Sequence, residues 1–438
     1  MADRRVVITG LGVVCSAGVG AEPFWQAMLE GRQCVKGIDL FDAARFPCRI
    51  GGQLDDFSAR SFVPKDYRKA VKVMARDIEI AVAAADLAFR DAHLETRGTN
   101  TDGKSDVTPA RLGCNIGAGL ICSDLDELGA AVNTAVTDGK FDLRKWGNSG
   151  MNNLTPLWLL KYLPNMLSCH VTIIHGAEGP SNTITCGDAS GQLTVGEARR
   201  LILRGAADVV ITGGAESKLN PMGLLRQNML GRLATAGNEA PASACRPFDA
   251  SACGTVIGEG GGLVILEELE HAKARGAKIY AEVVGFGASC DPAGIDVLTP
   301  TVGGLDLAVT KALADAEIKP DAIDLIVAHG TAVAAEDRLE VQAWRKAMGP
   351  AADKAMATAL TGATGSLFAG AGAVELALAA LAVKTGQVPP TVNFTQAAAD
   401  CRLNLASKSR TGDIRHAVTG AFGIGGQSGA VVLKRYES

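Results

Sequence analysis

The chain has 438 residues, 47% hydrophobic and 21% charged, which is enough apolar material for a sizeable core and excludes general disorder. Its 43 Lys and Arg against 47 Asp and Glu leave a net charge of -4, so no global basic field exists for nucleic acid or an acidic membrane surface. Length alone suggests about three domains at ~150 residues each, or fewer if the fold is large or duplicated.

Taken in chain order, residues 5–10 (RVVITG) read as a strand and follow a start that lacks the apolar segment of a signal peptide. A helical pattern covers 77–91, and the polar stretch 95–108 reads as an inserted surface loop. Next come a helix over 190–204 and a strand over 208–214, then strands over 262–266 and 280–284. A helix over 306–316, a strand over 324–328 and a helix over 374–385 follow. Val and Ile runs bounded by Gly predict sheets buried on both faces, and their alternation with helices predicts an α/β fold. The 52 glycines, well above the usual ~7%, are assigned to tight turns, including the runs 258–262 and 423–426, which lack the spacing of a phosphate loop.

The order small-residue helix start, helix, strand, strand occurs twice. In the first half it ends on 209–214 and 261–266; in the second it starts at Gly370-Ala371-Gly372 and ends on 417–420 and 429–433. Two related halves, 1–270 and 271–438, are therefore expected. The eleven cysteines include no C-x-x-C pair and no zinc-ligand spacing, so most are read as small buried hydrophobes of a protein in a reducing compartment. No stretch of 18 uncharged apolar residues spans a bilayer, and the expected location is the cytoplasm. No motif calls for a metal, nucleotide or other cofactor.

A series of ordered motifs then narrows the reading: 5–12 (RVVITGLG), Gly179-Pro180-Ser181, Gly213-Gly214-Ala215-Glu216, Arg246-Pro247-Phe248-Asp249 and Gly258-Glu259-Gly260. It continues through 271–280 (HAKARGAKIY), Ala328-His329-Gly330-Thr331 and Gly372-Ala373-Val374-Glu375. Over essentially its whole length the chain resembles the elongating β-ketoacyl-carrier-protein synthases, the ketosynthases of the thiolase superfamily. The resemblance implies a thiolase fold, with duplicated halves in a five-layer α-β-α-β-α arrangement.

In that family a cysteine at a strand-to-helix turn accepts the acyl chain from a phosphopantetheine thioester. Two histidines then promote decarboxylation and stabilise the enolate. Aligned without a gap, the nucleophile position falls on Asp188 in 185–191 (TCGDASG). Cys186, two residues earlier, is read as a structural thiol, and Asp188 as an N-cap whose carboxylate accepts a backbone N–H. The first histidine is His329, with Asp337 and Glu340 downstream matching the family pattern. The lysine and second histidine positions hold Thr361 and Ser366, whose hydroxyls supply neither charge nor imidazole. Phe422 and Ile424 occupy the gating loop, with Ile424 at the gate, and Thr331 and Thr364 complete the expected acyl and pantetheine pocket.

These departures point to a non-condensing protein similar to the chain-length factors of type II polyketide and aryl-polyene systems. Such a protein pairs with a Cys-containing ketosynthase and shapes a shared acyl tunnel. An enzyme repurposed for acid-base chemistry on an acyl thioester through Asp188 and His329 is the other reading. Expected partners are an acyl carrier protein and a second ketosynthase-like subunit, in a homodimer or heterodimer, with residues 182–187 forming the dimer strand.

Overall fold

Ten strands carry the architecture of the computed structural model, which describes residues 4–100, 102, 104–293 and 304–437. In the first half β1 (Val6–Cys15), β2 (Leu112–Ala118), β3 (Ser181–Ile184), β4 (Val209–Ser217) and β5 (Ile257–Glu268) lie in the order β3, β2, β4, β5, β1. The first three run parallel, and β5 and β1 are added antiparallel. In the second half β6 (Ala281–Cys290), β7 (Leu325–Val327), β8 (Met356–Thr358), β9 (His416–Phe422) and β10 (Gln427–Lys434) repeat that order as β8, β7, β9, β10, β6, with the same parallel and antiparallel sense. The halves join edge to edge where β1 meets β6 through Val7 opposite Glu282 and Ile8 opposite Ala281.

Six helices cover the strands. α1 (Arg76–Asp91) and α2 (Met166–His175) lie on the outer face of the first half, and α4 (Leu305–Asp315) and α5 (Ala334–Met348) on that of the second. α3 (Ser190–Leu203) and α6 (Ala371–Thr385) pack against each other between the two. The result is the five-layer α-β-α-β-α thiolase fold. α6 is buried on every side from Ala371 to Val383, which explains why its sequence is apolar all round. Among the described residues, Phe368–Thr385 is the stretch long and apolar enough to cross a membrane, and 89% of it is buried inside the protein, as a central core helix is.

β1 runs five residues beyond its expected end at residue 10 because Gly10 and Gly12 are strand positions, not a turn. A Cβ on Gly12 would lie 1.9 Å from the carbonyl oxygen of Ala84 in α1. The matching place in the second half is Gly287, where a Cβ would lie 1.9 Å from the Ala308 oxygen in α4. Part of the glycine excess therefore serves close helix-on-strand approach instead of turns. The strands and helices expected from periodicity are all present, whereas β2, β8, α2 and α5 went unpredicted. The described part of 95–108 is loop, and a 3-10 turn (Pro109–Arg111) follows it ahead of β2.

Candidate active site

The residues singled out by sequence lie where parallel strands end and helices begin, the usual place for a site in an α/β sheet. Asp188 sits in a 3-10 turn (Gly187–Ala189) between β3 and α3, and His329 follows β7. Both are buried, at 5% and 3% exposure. His329 Nδ1 donates to Glu375 Oε1 of α6 at 2.7 Å, and its Nε2 lies 3.5 Å from Asp188 Oδ2. At that distance Nε2 has no well-directed hydrogen-bond partner and is a buried polar atom turned toward Asp188. Glu375 Oε2 accepts from Gln192 Nε2 of α3 at 2.8 Å. The two central helices thus hold a buried chain, Asp188 to His329 to Glu375 to Gln192.

The loop carrying His329 is itself pinned. Its backbone N–H and that of Gly330 donate to the two oxygens of Glu340, each at 2.8 Å, and Trp344 Nε1 donates to the same carboxylate at 3.0 Å. Asp337 accepts from the backbone N–H groups of Phe248 and Ala332 at 2.7 and 3.1 Å. The Thr361 hydroxyl donates to the His329 carbonyl at 3.0 Å, and the Phe422 ring meets the imidazole edge-on with centroids 5.6 Å apart.

Burial alone would push the His329 pKa down, but the charge of Glu375 and its hydrogen bond, together with Asp188, hold it well above its ordinary value. Burial would likewise raise Asp188, yet the adjacent His329 imidazole, followed by the charges of Arg232 and Lys218, holds it below the usual carboxylate range. Each partner thus favours the charged form of the other. Around it, Arg232 forms a two-pronged buried pair with Glu336 at 2.9 and 2.8 Å, and Lys218 pairs with Glu216.

Asp188 opens onto a cavity of about 580 Å³ whose lining includes Leu120, Leu230, Phe368 and Ile424. Phe368 stands there with φ 49°, a left-handed backbone that a bulky residue adopts only under restraint from its surroundings. Ile424 lines this cavity beside Asp188, whereas Phe422 does not. Phe422 reaches the site only through His329.

Other expectations are corrected. Asp188 is not a side-chain cap: Ala189 is the N-cap of α3, and neither the 3-10 turn nor the helix receives a side-chain cap bond there. Ser190 takes that part, accepting from the Cys186 N–H at 2.8 Å and donating to the Gly187 carbonyl at 2.6 Å, which leaves Asp188 to His329. Thr331 and Thr364 do not line the cavity. Thr331 donates to Asp337 at 3.4 Å, and Thr364 donates to the Gly365 carbonyl at 2.8 Å, so each hydroxyl serves its own buried loop. Ser366 is buried by main-chain bonds to Val256 and Gly258, each 2.8 Å, at the start of β5. Cys186 does not line the cavity either, and burial pushes its thiol pKa up, away from thiolate.

Sequence reasoning assigned no role to Glu375, Gln192, Arg232 or Lys218. A signal for Glu375 was present: a lone carboxylate within the Ala and Leu run of α6 must be paired if it is buried. The other three depend on which loops meet, which periodicity does not reveal.

Two family models match the chain: Beta-ketoacyl synthase, N-terminal domain, over residues 3–272, and Beta-ketoacyl synthase, C-terminal domain, over residues 280–395. The 3-oxoacyl-[acyl-carrier-protein] synthase 2 of Synechocystis sp. is 34% identical over 435 residues, 99% of either chain. Among solved structures, the ishigamide ketosynthase/chain length factor superposes with a TM-score of 0.84 at 28% identity, covering 100% of both chains. A type II PKS acyl-carrier protein in complex with its ketosynthase gives 0.83 at 27% identity, covering 99% of this chain and 100% of that one.

Proposed function

We propose, from the premise that the chain belongs to the beta-ketoacyl synthase family of fatty acid and polyketide synthesis, that it is a non-condensing member. On this reading it holds an acyl chain for a Cys-containing ketosynthase partner in the manner of a chain-length factor. The observation that carries the reading is the buried pair of Asp188 and His329, with Oδ2 and Nε2 3.5 Å apart. A covalent acyl intermediate needs a thiolate where Asp188 stands, and carboxylate attack on a thioester would form a mixed anhydride, an uphill step. His329 is held toward its protonated form, and Thr361 and Ser366 supply no second imidazole or ammonium. The same pair disfavours acid-base catalysis by Asp188, because a carboxylate held below its ordinary pKa is a weak base for an α-proton.

Two further features support a partnered acyl-binding protein. The cavity beside Asp188 has the mixed apolar lining and volume of a small-molecule pocket. Among the described residues β3 is the terminal strand of its half and pairs only with β2, and it is exposed at Ser181 and Asn182, an open edge suited to antiparallel pairing with a second subunit. A likeness to a structure of a ketosynthase with its acyl carrier protein supports a carrier-borne acyl group as the ligand.

The test is co-expression with a Cys-containing ketosynthase and acyl carrier protein encoded beside it, followed by affinity capture and a condensation assay. The expected result is a stable heterodimer whose product length depends on this chain. A homodimer that turns over acyl thioesters unaided would overturn the reading.

A further inference from the structure

Behind the Asp188 cavity lies a second one, also of about 580 Å³, lined among others by Met74, Asp77, Cys122, Tyr162 and Leu219. The two share a wall. At the end of β4, Glu216 and Lys218 face the first cavity while Ser217 and Leu219 face the second; on the segment after β2, Leu120 faces the first and Cys122 the second. Lys218 spans these two segments: its Nζ donates to the Leu120 carbonyl at 2.9 Å and pairs with Glu216. Its side chain is 11% exposed and that of Glu216 2%, so the crossing is nearly dry. A second tie closes the wall beside it, where Arg226 Nη1 lies 3.3 Å from Cys122 Sγ.

We infer that Lys218 is the stop that sets how much acyl chain this site accepts. The inference rests on the acyl-binding reading given above and names the residue that limits it. A methylene reaching Lys218 meets an ammonium whose neighbours are a carbonyl and a carboxylate. To pass, it must break a buried ion pair and leave Glu216 without its counter-charge, which outweighs the gain from burying one more CH₂. The chain therefore ends at the partition although space exists behind it. Specificity here comes from a paired charge laid across the path instead of a bulky apolar side chain.

The experiment uses the full-length protein, with its partner subunit if one co-purifies, and saturated acyl-pantetheine amides of increasing length as probes in a direct binding assay. For the unaltered protein, affinity should rise about fourfold per methylene, from ~0.8 kcal/mol per buried CH₂, and then level off at a definite length. In Lys218→Ala combined with Glu216→Gln, which opens the wall without stranding a charge, the rise should continue for several more methylenes. Lys218→Met, which keeps the volume but drops the ammonium, should also move the break to longer chains, and provides the test if the double variant does not fold. Lys218→Arg should leave it in place. A break at the same length in a folded double variant or in Lys218→Met overturns the stop alone. An unaltered protein that binds none of the series overturns the acyl reading and this inference with it.

Discussion

Asp188 Oδ2 lies 3.5 Å from His329 Nε2, while the opposite ring nitrogen is bound at 2.7 Å to Glu375, so one imidazole ring is held between two buried carboxyl groups. This arrangement, not a helix cap, fixes the part Asp188 plays in the fold.

Asp188→Asn should lower the His329 pKa, read from the ring proton shifts in an NMR titration, and should destabilise the protein by about 1–3 kcal/mol at neutral pH, as loss of one partner in a buried polar pair does. The pH dependence has a definite sign. His329 is raised on folding, so its contribution is complete below its unfolded value near 6.5 and is lost as pH rises through the folded value. Asp188 is lowered, so its contribution is present above its unfolded value near 3.9 and is lost as pH falls through the folded one. Denaturant unfolding across pH should show the variant losing less than the unaltered protein at both ends.

Returning a thiol alone should not return condensation. Asp188→Cys removes the counter-charge of His329 and leaves Thr361 and Ser366 in place. Malonyl decarboxylation and carbon-carbon bond formation should remain at least ~100-fold below a competent ketosynthase assayed in parallel, the scale of one missing general acid or base. Near-equal rates would show that the two hydroxyl positions are not limiting.

The edge strand should be the assembly surface. Thr183 N–H donates to the neighbouring Asn182 side chain at 2.8 Å; Thr183→Pro removes that N–H and sets a pyrrolidine ring in the edge strand, which blocks its pairing with a second subunit. Light scattering should find a dimer for the unaltered protein, alone or with its partner, and a shift toward monomer for the variant. A monodisperse monomer of the unaltered chain at micromolar concentration, with no partner required, would contradict both the edge pairing and the chain-length-factor reading.

Asp77 offers a separate pH test. Burial, followed by the charge of Glu216, pushes its pKa up to about 7, against ~3.9 when unfolded. Between those values the folded protein binds the extra proton, so stability falls as pH rises from roughly 4 to about 7. Asp77→Asn, which still accepts from the Ser217 N–H, should flatten that slope in urea unfolding measured at several pH values.

The repeated order of strands and helices was legible in the sequence because Val, Ile and Gly patterns, the apolar period of α1 and α3 and the continuous apolar run of α6 are local. β2 was less so: its run contains Gly113, Asn115 and Gly117, and its inward face is made by close approach of α3, where a Cβ on Gly117 would lie 2.8 Å from Ser190. The position of Asp188 was also legible, from its spacing to Gly179-Pro180-Ser181. Its partner was not, because a cap bond is made within a turn whereas the bond it actually serves joins residues 188 and 329 across two halves of the fold. Lys218 was hidden for the same reason, since only the meeting of the β4 end with the segment after β2 gives it a wall to form.

The first strand has a long wait. Thr9 on β1 bonds Glu267 on β5, 258 residues downstream, and β1 finds its other neighbour in β6, later still. At the ~5–20 residues per second of ribosomal synthesis, β1 spends on the order of 13–50 seconds outside the exit tunnel before either flank exists. Val14 and Cys15 pair locally with Val19 and Gly18, but Val6 to Val13, all buried in the finished fold, are unpaired during that interval. Nascent-chain yield should therefore depend more on what shields the first fifteen residues, a chaperone or a solubilising N-terminal fusion, than on the stability of the finished protein.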